Sequence, residues 1–248
     1  MDISEDAYLW VRKNEKSIVD KFIGNAQSVE EPESFFMAGS PGAGKTEYSK
    51  LFIKDLNTVF QSKFGKDYPI VRIDADDIRQ VLPGYNGSNS SLFQRASVLA
   101  VNKLHDYVLK KKINFLLDGT FADHKYAIDD INRSVEKGRK IQISYLYQDP
   151  IHAWELTRIR EMKEGRVVPM DVFIRDYFSA KEVVNEIKLM FAEKIRVDLV
   201  IRDYIGNESK IYFNISSVDS YLKIPYDRQT LEARLLEINS KLNSCEKV

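Results

Sequence analysis

The chain has 248 residues, of which 37 are basic and 37 acidic, so its formal net charge is zero. It therefore lacks the basic surface typical of proteins that grip a nucleic-acid backbone, and nucleic acid is not an expected partner. The one cysteine, Cys245, excludes an intrachain disulfide framework or a cysteine-ligated zinc site. The acidic N-terminus is unlike a signal peptide, and no apolar run approaches the roughly 20 residues that span a bilayer, so we expect a cytoplasmic protein with no membrane contact.

The first predicted element is a helix over residues 4–25. Apolar residues recur there on one helical face, the pattern ends near Gly24, and a polar break follows up to Glu33. We expect this helix to pack on the core of the protein.

A phosphate-binding loop follows the first predicted strand. Residues 34–38 form an apolar run typical of a buried strand, and apolar residues recur at helical spacing after the loop. Between them the sequence fits GxxxxGK(S/T), whose backbone N–H groups and helix N-terminus surround phosphate oxygens. Lys45 is placed to reach the outer phosphates of ATP, and the Thr46 hydroxyl to ligate Mg²⁺. The predicted ATP-binding residues are Gly39, Ser40, Pro41, Gly42, Ala43, Gly44, Lys45 and Thr46.

Further apolar runs alternate with helical patterns along the chain. They predict strands at residues 70–73, 113–117, 141–147 and 199–201. The alternation predicts an α/β protein with a P-loop NTPase fold, in which a parallel sheet of about five strands carries helices on both faces. Ligands of such sheets bind at the C-terminal ends of the strands, so polar residues that follow strands are the candidates for chemistry.

The last residues, 227–248, carry apolar residues at helical spacing among charges. We expect an amphipathic helix that closes the domain, with a partner-binding helix as the alternative. The chain is expected to form a single domain, which comprises a helical N-terminal segment (1–30), a core (31–205) and a helical C-terminal segment (206–248).

Acidic residues follow the second and third strands. Asp74, Asp76 and Asp77 stand where a carboxylate can approach the γ-phosphate and accept the proton of an attacking hydroxyl. We predict Asp76 as this base, whereas a helix N-terminus explains Asp77. Asp74 either orients the water of the metal ion or holds the loop. Asp118 ends the third strand and is predicted to belong to the magnesium shell.

A basic segment follows the fourth strand and contains Arg158, Arg160, Lys163 and Arg166. It is either a solvated helix face, paired with neighbouring glutamates, or a lid that closes arginines onto the transferring phosphoryl group and excludes water. Arg160 and Arg166 are six residues apart and do not share a helical face unless the helix breaks near Gly165. If the segment is a lid, Arg158 is predicted to bind ATP.

Several motifs together resemble the zeta-toxin family of P-loop kinases over residues 30–205. They are GSPGAGKT, IDADDIR with LPGY after it, LLDGT, YQDP and RIREMKEGRVVP, in this order. The resemblance implies a kinase that phosphorylates the sugar 3′-hydroxyl of UDP-N-acetylamino sugars and that, in many members, is held inactive by a small antitoxin protein. It implies that Asp76 is the catalytic aspartate, that Lys45 and Thr46 form the ATP–magnesium pair, and that Arg160 and Arg166 are the lid arginines.

The resemblance also suggests where the acceptor binds. Thr120 falls on the GT position of the family and is assigned, with Asp74, to the substrate. The substrate-binding glutamate of the family falls on Asn102, which can hydrogen-bond but is not anionic. With Arg95, Asn102 forms either a substrate wall or an ordinary exposed helix face. Kinases for another acceptor, such as a nucleotide cofactor, an antibiotic or a nucleic-acid end, and a non-catalytic ATP-binding interaction module therefore stay open.

Overall fold

The computed structural model describes residues 2–203 and 208–245. Helices and strands alternate along most of this range. The helices are α1 (Ile3–Lys13), α2 (Glu15–Ile23), α3 (Lys45–Phe64), α4 (Ala75–Arg79), α5 (Gln94–Lys110), α6 (His124–Glu136), α7 (Pro150–Glu164), α8 (Met170–Phe191) and α9 (Arg228–Cys245). The strands are β1 (Glu33–Ala38), β2 (Ile70–Asp74), β3 (Asn114–Asp118), β4 (Lys140–Tyr147), β5 (Ile195–Asp203) and β6 (Glu208–Tyr212).

The strands form one sheet in the order β2-β3-β1-β4-β5-β6. Strands β1 to β5 run parallel to one another, which confirms the predicted α/β fold. Strand β6 pairs with β5 in the antiparallel direction. β1, which leads into the phosphate loop, lies between β3 and β4. The C-terminal ends of β2 and β3 meet in register, with Asp74 opposite Asp118. The sheet thus brings the predicted acidic residues to the same edge as the loop.

Two terminal elements differ from the prediction. The helix expected over 4–25 is broken at Asn14, whose φ of −113° and ψ of 23° leave the helical region. Asn14 caps α1 instead, because both its backbone N–H and its side-chain amide donate to the carbonyl of Trp10, at 2.9 and 2.8 Å. The segment predicted as helical from residue 206 contains β6 before α9. β6 is a short edge strand, too brief for its apolar residues to show a period.

Helices cover both faces of the sheet. On one face, α1, α2, α5, α6 and α8 contribute to a core that includes Phe36, Phe115 and Ile143. On the other face, α3 packs on Phe35 and Met37. A smaller core joins α7, α8 and α9, as expected for a helix that closes the domain, and contains Trp154, Phe173, Tyr177, Leu231 and Leu235. Residues 246–248 of the predicted last helix lie outside the described residues. Within 2–203 and 208–245, no helix is both long and apolar enough to cross a membrane.

Candidate active site

The phosphate loop is held between β4 and α7 by close backbone contacts. Gly39 and Gly42 have φ values of +136° and +75°, in the region that disfavours residues with a Cβ. A Cβ on Gly39 would collide with the carbonyl oxygen of Leu146, and one on Gly42 with the carbonyl oxygen of Ala153. The loop therefore requires glycine at both positions for space as well as for conformation. Its contact with Ala153 also fixes the first turn of α7 relative to the loop.

Lys45 points back into the loop. Its ammonium group donates to the carbonyl oxygens of Gly39 and Ser40, at 2.9 and 2.7 Å. Burial lowers the pKa of Lys45 to about 8, although the nearby Asp118 and Asp176 act in the opposite direction. Arg166 and Arg160 lie close enough to lower the same pKa. The lysine is therefore a partly buried cation between the loop, the acidic residues and the segment that contains Arg160 and Arg166.

This pKa predicts that ATP binding weakens as the pH rises. A lysine with a pKa of about 8 is mostly protonated at pH 7 and mostly neutral at pH 9, so the Kd for ATP should increase roughly tenfold between these values. Isothermal titration with a non-hydrolysable ATP analogue measures the effect. Lys45→Met is the control, and the same pH dependence in that variant would show that another group is responsible.

Arg72 connects the acidic residues at the edge of the sheet. Its guanidinium bonds to the carboxylates of Asp74, Asp77 and Asp118, the last at 2.6 Å, and its Nε donates to the Ser49 hydroxyl at 2.9 Å. Ser49 also donates to Asp118 at 2.9 Å. Because Ser49 lies one turn after Lys45 in α3, this network ties the phosphate-loop helix to β2, β3 and α4. Arg72 is thus the counter-charge for three carboxylates.

Asp74 and Asp118 are both buried in this network, with side chains 8% and 4% exposed. Burial, together with the neighbouring Asp118, raises the pKa of Asp74 to about 6, and Arg72 limits the increase. Asp74 also caps α4, because it accepts the backbone N–H of Asp76 at 2.8 Å. The cap gives Asp74 a structural role in placing the next acidic residue, which agrees with the interpretation that it holds the loop.

The lid arginines converge on Asp76. α7 ends at Glu164, and Gly165 follows with a φ of +71°, which is the helix break that the spacing of the two arginines requires. Arg166 forms an ion pair with Oδ2 of Asp76, and Arg160 approaches the same oxygen at 3.2 Å. A Cβ on Gly87 would collide with the carbonyl oxygen of Glu164, so the end of α7 rests directly on the loop after α4. The end of α7 and the residues that follow it therefore lie over Asp76.

Other predicted site residues are not drawn into this cluster. Arg158 pairs with Glu161 and lies over the Trp154 ring. Arg95 is 57% exposed and forms an ion pair with Glu5 of the neighbouring helix α1.

Asn102 lies two turns after Arg95 on the same side of α5 and is exposed. The alternative of an ordinary polar face describes both residues better than a substrate wall. Thr120 does lie next to the phosphate loop, since its carbonyl accepts the N–H of Gly39 at 3.0 Å. The hydroxyl of Thr46 stands at the start of α3, where an Mg²⁺ ligand is expected.

Four charged residues at the site were not predicted from the sequence. Arg72 and Arg79 bond to the acidic residues, Asp176 of α8 is a buried acid within electrostatic reach of Lys45, and Arg202 donates to the Gly44 carbonyl at 3.1 Å. A charge inside a buried strand, such as Arg72 in Ile70–Asp74, is a usable signal because it requires a partner. The position of Asp176 on α8 carries no comparable signal.

These features define a P-loop kinase fold. They are a parallel sheet with a phosphate loop after an inner strand, acidic residues at the ends of neighbouring strands, and two arginines that approach one of these acids. Comparison with protein-family models identifies the family within this class. The family model described as "Zeta toxin" matches residues 17–216, and the chain belongs to this family.

Solved structures share the fold at low sequence identity. The PezAT chromosomal toxin–antitoxin system of Streptococcus pneumoniae matches with a TM-score of 0.65 and 18% identity, over 100% of both chains. The complex AvrRxo1-ORF1:-ORF2 with ATP matches with a TM-score of 0.62 and 13% identity, over 92% of this chain and 76% of that one. The native form of the complex matches with a TM-score of 0.60 and 13% identity, over 85% and 71%. A comparison with curated proteins finds no match.

Proposed function

We propose that the chain is an ATP-dependent kinase that transfers the γ-phosphoryl group to a hydroxyl of a small, nucleotide-linked acceptor. The first candidate for the acceptor is the sugar 3′-hydroxyl of UDP-N-acetylglucosamine. The observation that carries the proposal is the convergence of Arg160 and Arg166 on Asp76. A module that only binds ATP needs neither a base nor two arginines directed at it. Membership of the zeta-toxin family and the fold shared with an ATP complex support ATP as the donor.

Asp76 is assigned the role of general base. Its carboxylate accepts the proton of the acceptor hydroxyl as the hydroxyl oxygen bonds to the γ-phosphorus. The bond between that phosphorus and the β,γ-bridging oxygen breaks, and ADP leaves with the electron pair. Lys45, Arg160 and Arg166 stabilise the negative charge on the transferring group, which is the main contribution of protein groups to phosphoryl transfer.

The contacts of the lid arginines with Asp76 imply an exchange of partners during the reaction. In this structure both lid arginines are bonded to Oδ2 of Asp76. That oxygen can accept a proton only when the arginines turn to the phosphoryl group, which is a stronger acceptor for a guanidinium than one shared carboxylate oxygen. Substrate binding is therefore expected to free the base and to move the cations to the phosphate in the same step.

The site has hard oxygen donors suited to magnesium. The Thr46 hydroxyl and the Asp118 carboxylate would hold the ion or its waters, and a bound magnesium ion neutralises charge on the triphosphate. Among residues 2–203 and 208–245, no group of three or more histidine, cysteine or acidic side chains is arranged to hold a metal. Mg²⁺ is usually bound through one or two carboxylates together with substrate phosphates, so the triphosphate would supply the remaining ligands.

A panel of acceptors tests the proposed substrate. The purified chain is incubated with γ-labelled ATP and with UDP-sugars, nucleotide cofactors, hydroxyl-bearing antibiotics or oligonucleotides, and label transfer is measured against an Asp76→Asn blank. We expect transfer to UDP-N-acetylglucosamine. Transfer to another compound only would keep the kinase and replace the acceptor, whereas ATP binding without transfer to any of them would favour the non-catalytic module.

A protein partner is the second part of the proposal. Two of the structures that share this fold are, by their descriptions, a toxin–antitoxin system and a two-component complex. We infer that a small antitoxin-like protein binds this chain and holds it inactive. Co-expression with a protein encoded beside it, followed by size-exclusion chromatography and the transfer assay, tests this: a stable complex with unchanged activity would contradict the inference.

A further inference from the structure

The two oxygens of the Asp76 carboxylate have different partners. Oδ2 faces the lid and bonds to Arg160 and Arg166. Oδ1 bonds instead to Arg79, which lies three residues later in the same short helix. The lid contacts are lost when the lid opens or turns to a phosphate. The contact with Arg79 stays, because both residues belong to α4, which contacts α5 and β2.

Arg79 is itself fixed on a second side. Its Nη1 bonds to Asp76, and its Nη2 donates to the Gln94 side-chain oxygen at 2.6 Å. Gln94 is the first residue of α5, so the guanidinium spans from α4 to the helix that packs against it. The side chain of Arg79 is only 4% exposed, and burial lowers its pKa. A buried cation held between a carboxylate and an amide oxygen has little freedom to change its position.

We propose that Arg79, held by Gln94, is the positioning residue for the catalytic base. It holds Oδ1 of Asp76 throughout the reaction and thereby leaves Oδ2 directed towards the acceptor hydroxyl once the lid arginines move. Arg79 touches neither substrate in this scheme and acts only through Asp76. The inference rests on the proposed kinase function and adds a residue to its machinery.

The geometry requires arginine at this position. A guanidinium is planar and presents two terminal nitrogens in a fixed fork, so it can bond to Asp76 and Gln94 at once and fix the angle between them. A lysine in its place supplies a single point charge, which can balance the carboxylate but cannot hold both partners in one plane. We therefore expect Arg79→Lys to retain part of the effect and Arg79→Met to lose all of it.

The test combines kinetics with a double-mutant cycle. For Arg79→Met, kcat should fall by about 10- to 100-fold, the typical consequence of a misplaced reacting group, while KM for ATP stays within about twofold. Arg79→Lys and Gln94→Leu should give smaller losses in kcat. In the Asp76→Asn background, Arg79→Met should cause no further loss, because its effect passes through a base that is already absent.

Thermal unfolding and ATP binding are measured on every variant. Arg133→Met is the control, since Arg133 also forms two ion pairs, with Asp106 and Asp130, but it is partly exposed and lies away from this cluster. If Arg79→Met does not fold, Gln94→Leu and Arg79→Lys carry the test. An undiminished kcat in these variants would overturn the role of Arg79 but not the kinase function. So would a further loss of kcat when Arg79→Met is added to Asp76→Asn. Absence of transfer by the wild-type chain would overturn the kinase function and this role with it.

Discussion

Replacing Asp76 by asparagine is expected to slow phosphoryl transfer by about 10²- to 10⁴-fold, the usual contribution of a general base. Asparagine has nearly the same shape, but its one side-chain oxygen can accept hydrogen bonds from only one side, either from Arg79 or from the lid arginines. It also cannot take the proton of the acceptor hydroxyl. ATP binding should persist, because the phosphate loop and Lys45 are unchanged. Single-turnover transfer from labelled ATP measures the loss, and calorimetric titration measures ATP affinity.

The control for this variant is Asp129→Asn, which removes an exposed carboxylate on α6. It should transfer phosphate at the wild-type rate. Loss of the Asp76 charge leaves Arg79, Arg160 and Arg166 without a shared counter-charge, so they repel one another. The thermal unfolding of the variant and the wild-type chain must therefore be compared before the rates are interpreted. Retention of most activity by a folded Asp76→Asn protein would contradict its role as the base and direct attention to Asp74 or Asp77.

The parts of the fold that could be predicted depend on local sequence. The phosphate loop requires glycines and a lysine at fixed spacing, and each parallel strand is a short apolar run followed by a polar residue. From these, a parallel sheet with right-handed crossovers follows by general rules, so Asp74, Asp76 and Asp118 could be placed at one edge of the sheet before their contacts were known. The helix break at Gly165 was likewise readable, because only that break lets both lid arginines reach one site.

The contacts that could not be predicted join residues far apart in the chain. Arg72 meets Asp118 across 46 residues, and Arg160 meets Asp76 across 84. Helical periodicity placed Arg95 and Asn102 on one face of α5 but could not show that α1 lies beside it and supplies Glu5 to the arginine. The two acids that surround Lys45 also come from different elements, β3 and α8. Which cation balances which carboxylate is decided by tertiary packing.

Arg72→Met is expected to destabilise the protein by about 3 to 5 kcal/mol at pH 7.5, the usual cost of removing one partner from a buried ion pair. Methionine preserves much of the apolar volume of the side chain, so the loss reports on charge more than on packing. Without Arg72, the buried carboxylates of Asp74 and Asp118 face each other with no guanidinium between them. The free energy of unfolding, obtained from urea titration, measures the effect.

The same change should alter how stability depends on pH. The pKa of Asp74 rises from its usual 3.8 to about 6 in the folded protein, so protonation of this group favours folding and its contribution is lost as the pH rises through that range. Arg72 limits the rise of the Asp74 pKa, so without it that pKa lies above 6 in the folded protein. Asp74 is then mostly protonated at pH 5.5 and mostly charged at pH 7.5, so the destabilisation should be smaller at the lower pH. Arg234→Met, which breaks an exposed pair with Glu237, should cost less than about 1 kcal/mol at either pH. Equal destabilisation of Arg72→Met at both pH values would show that the lost packing, and not the carboxylates, determines the effect.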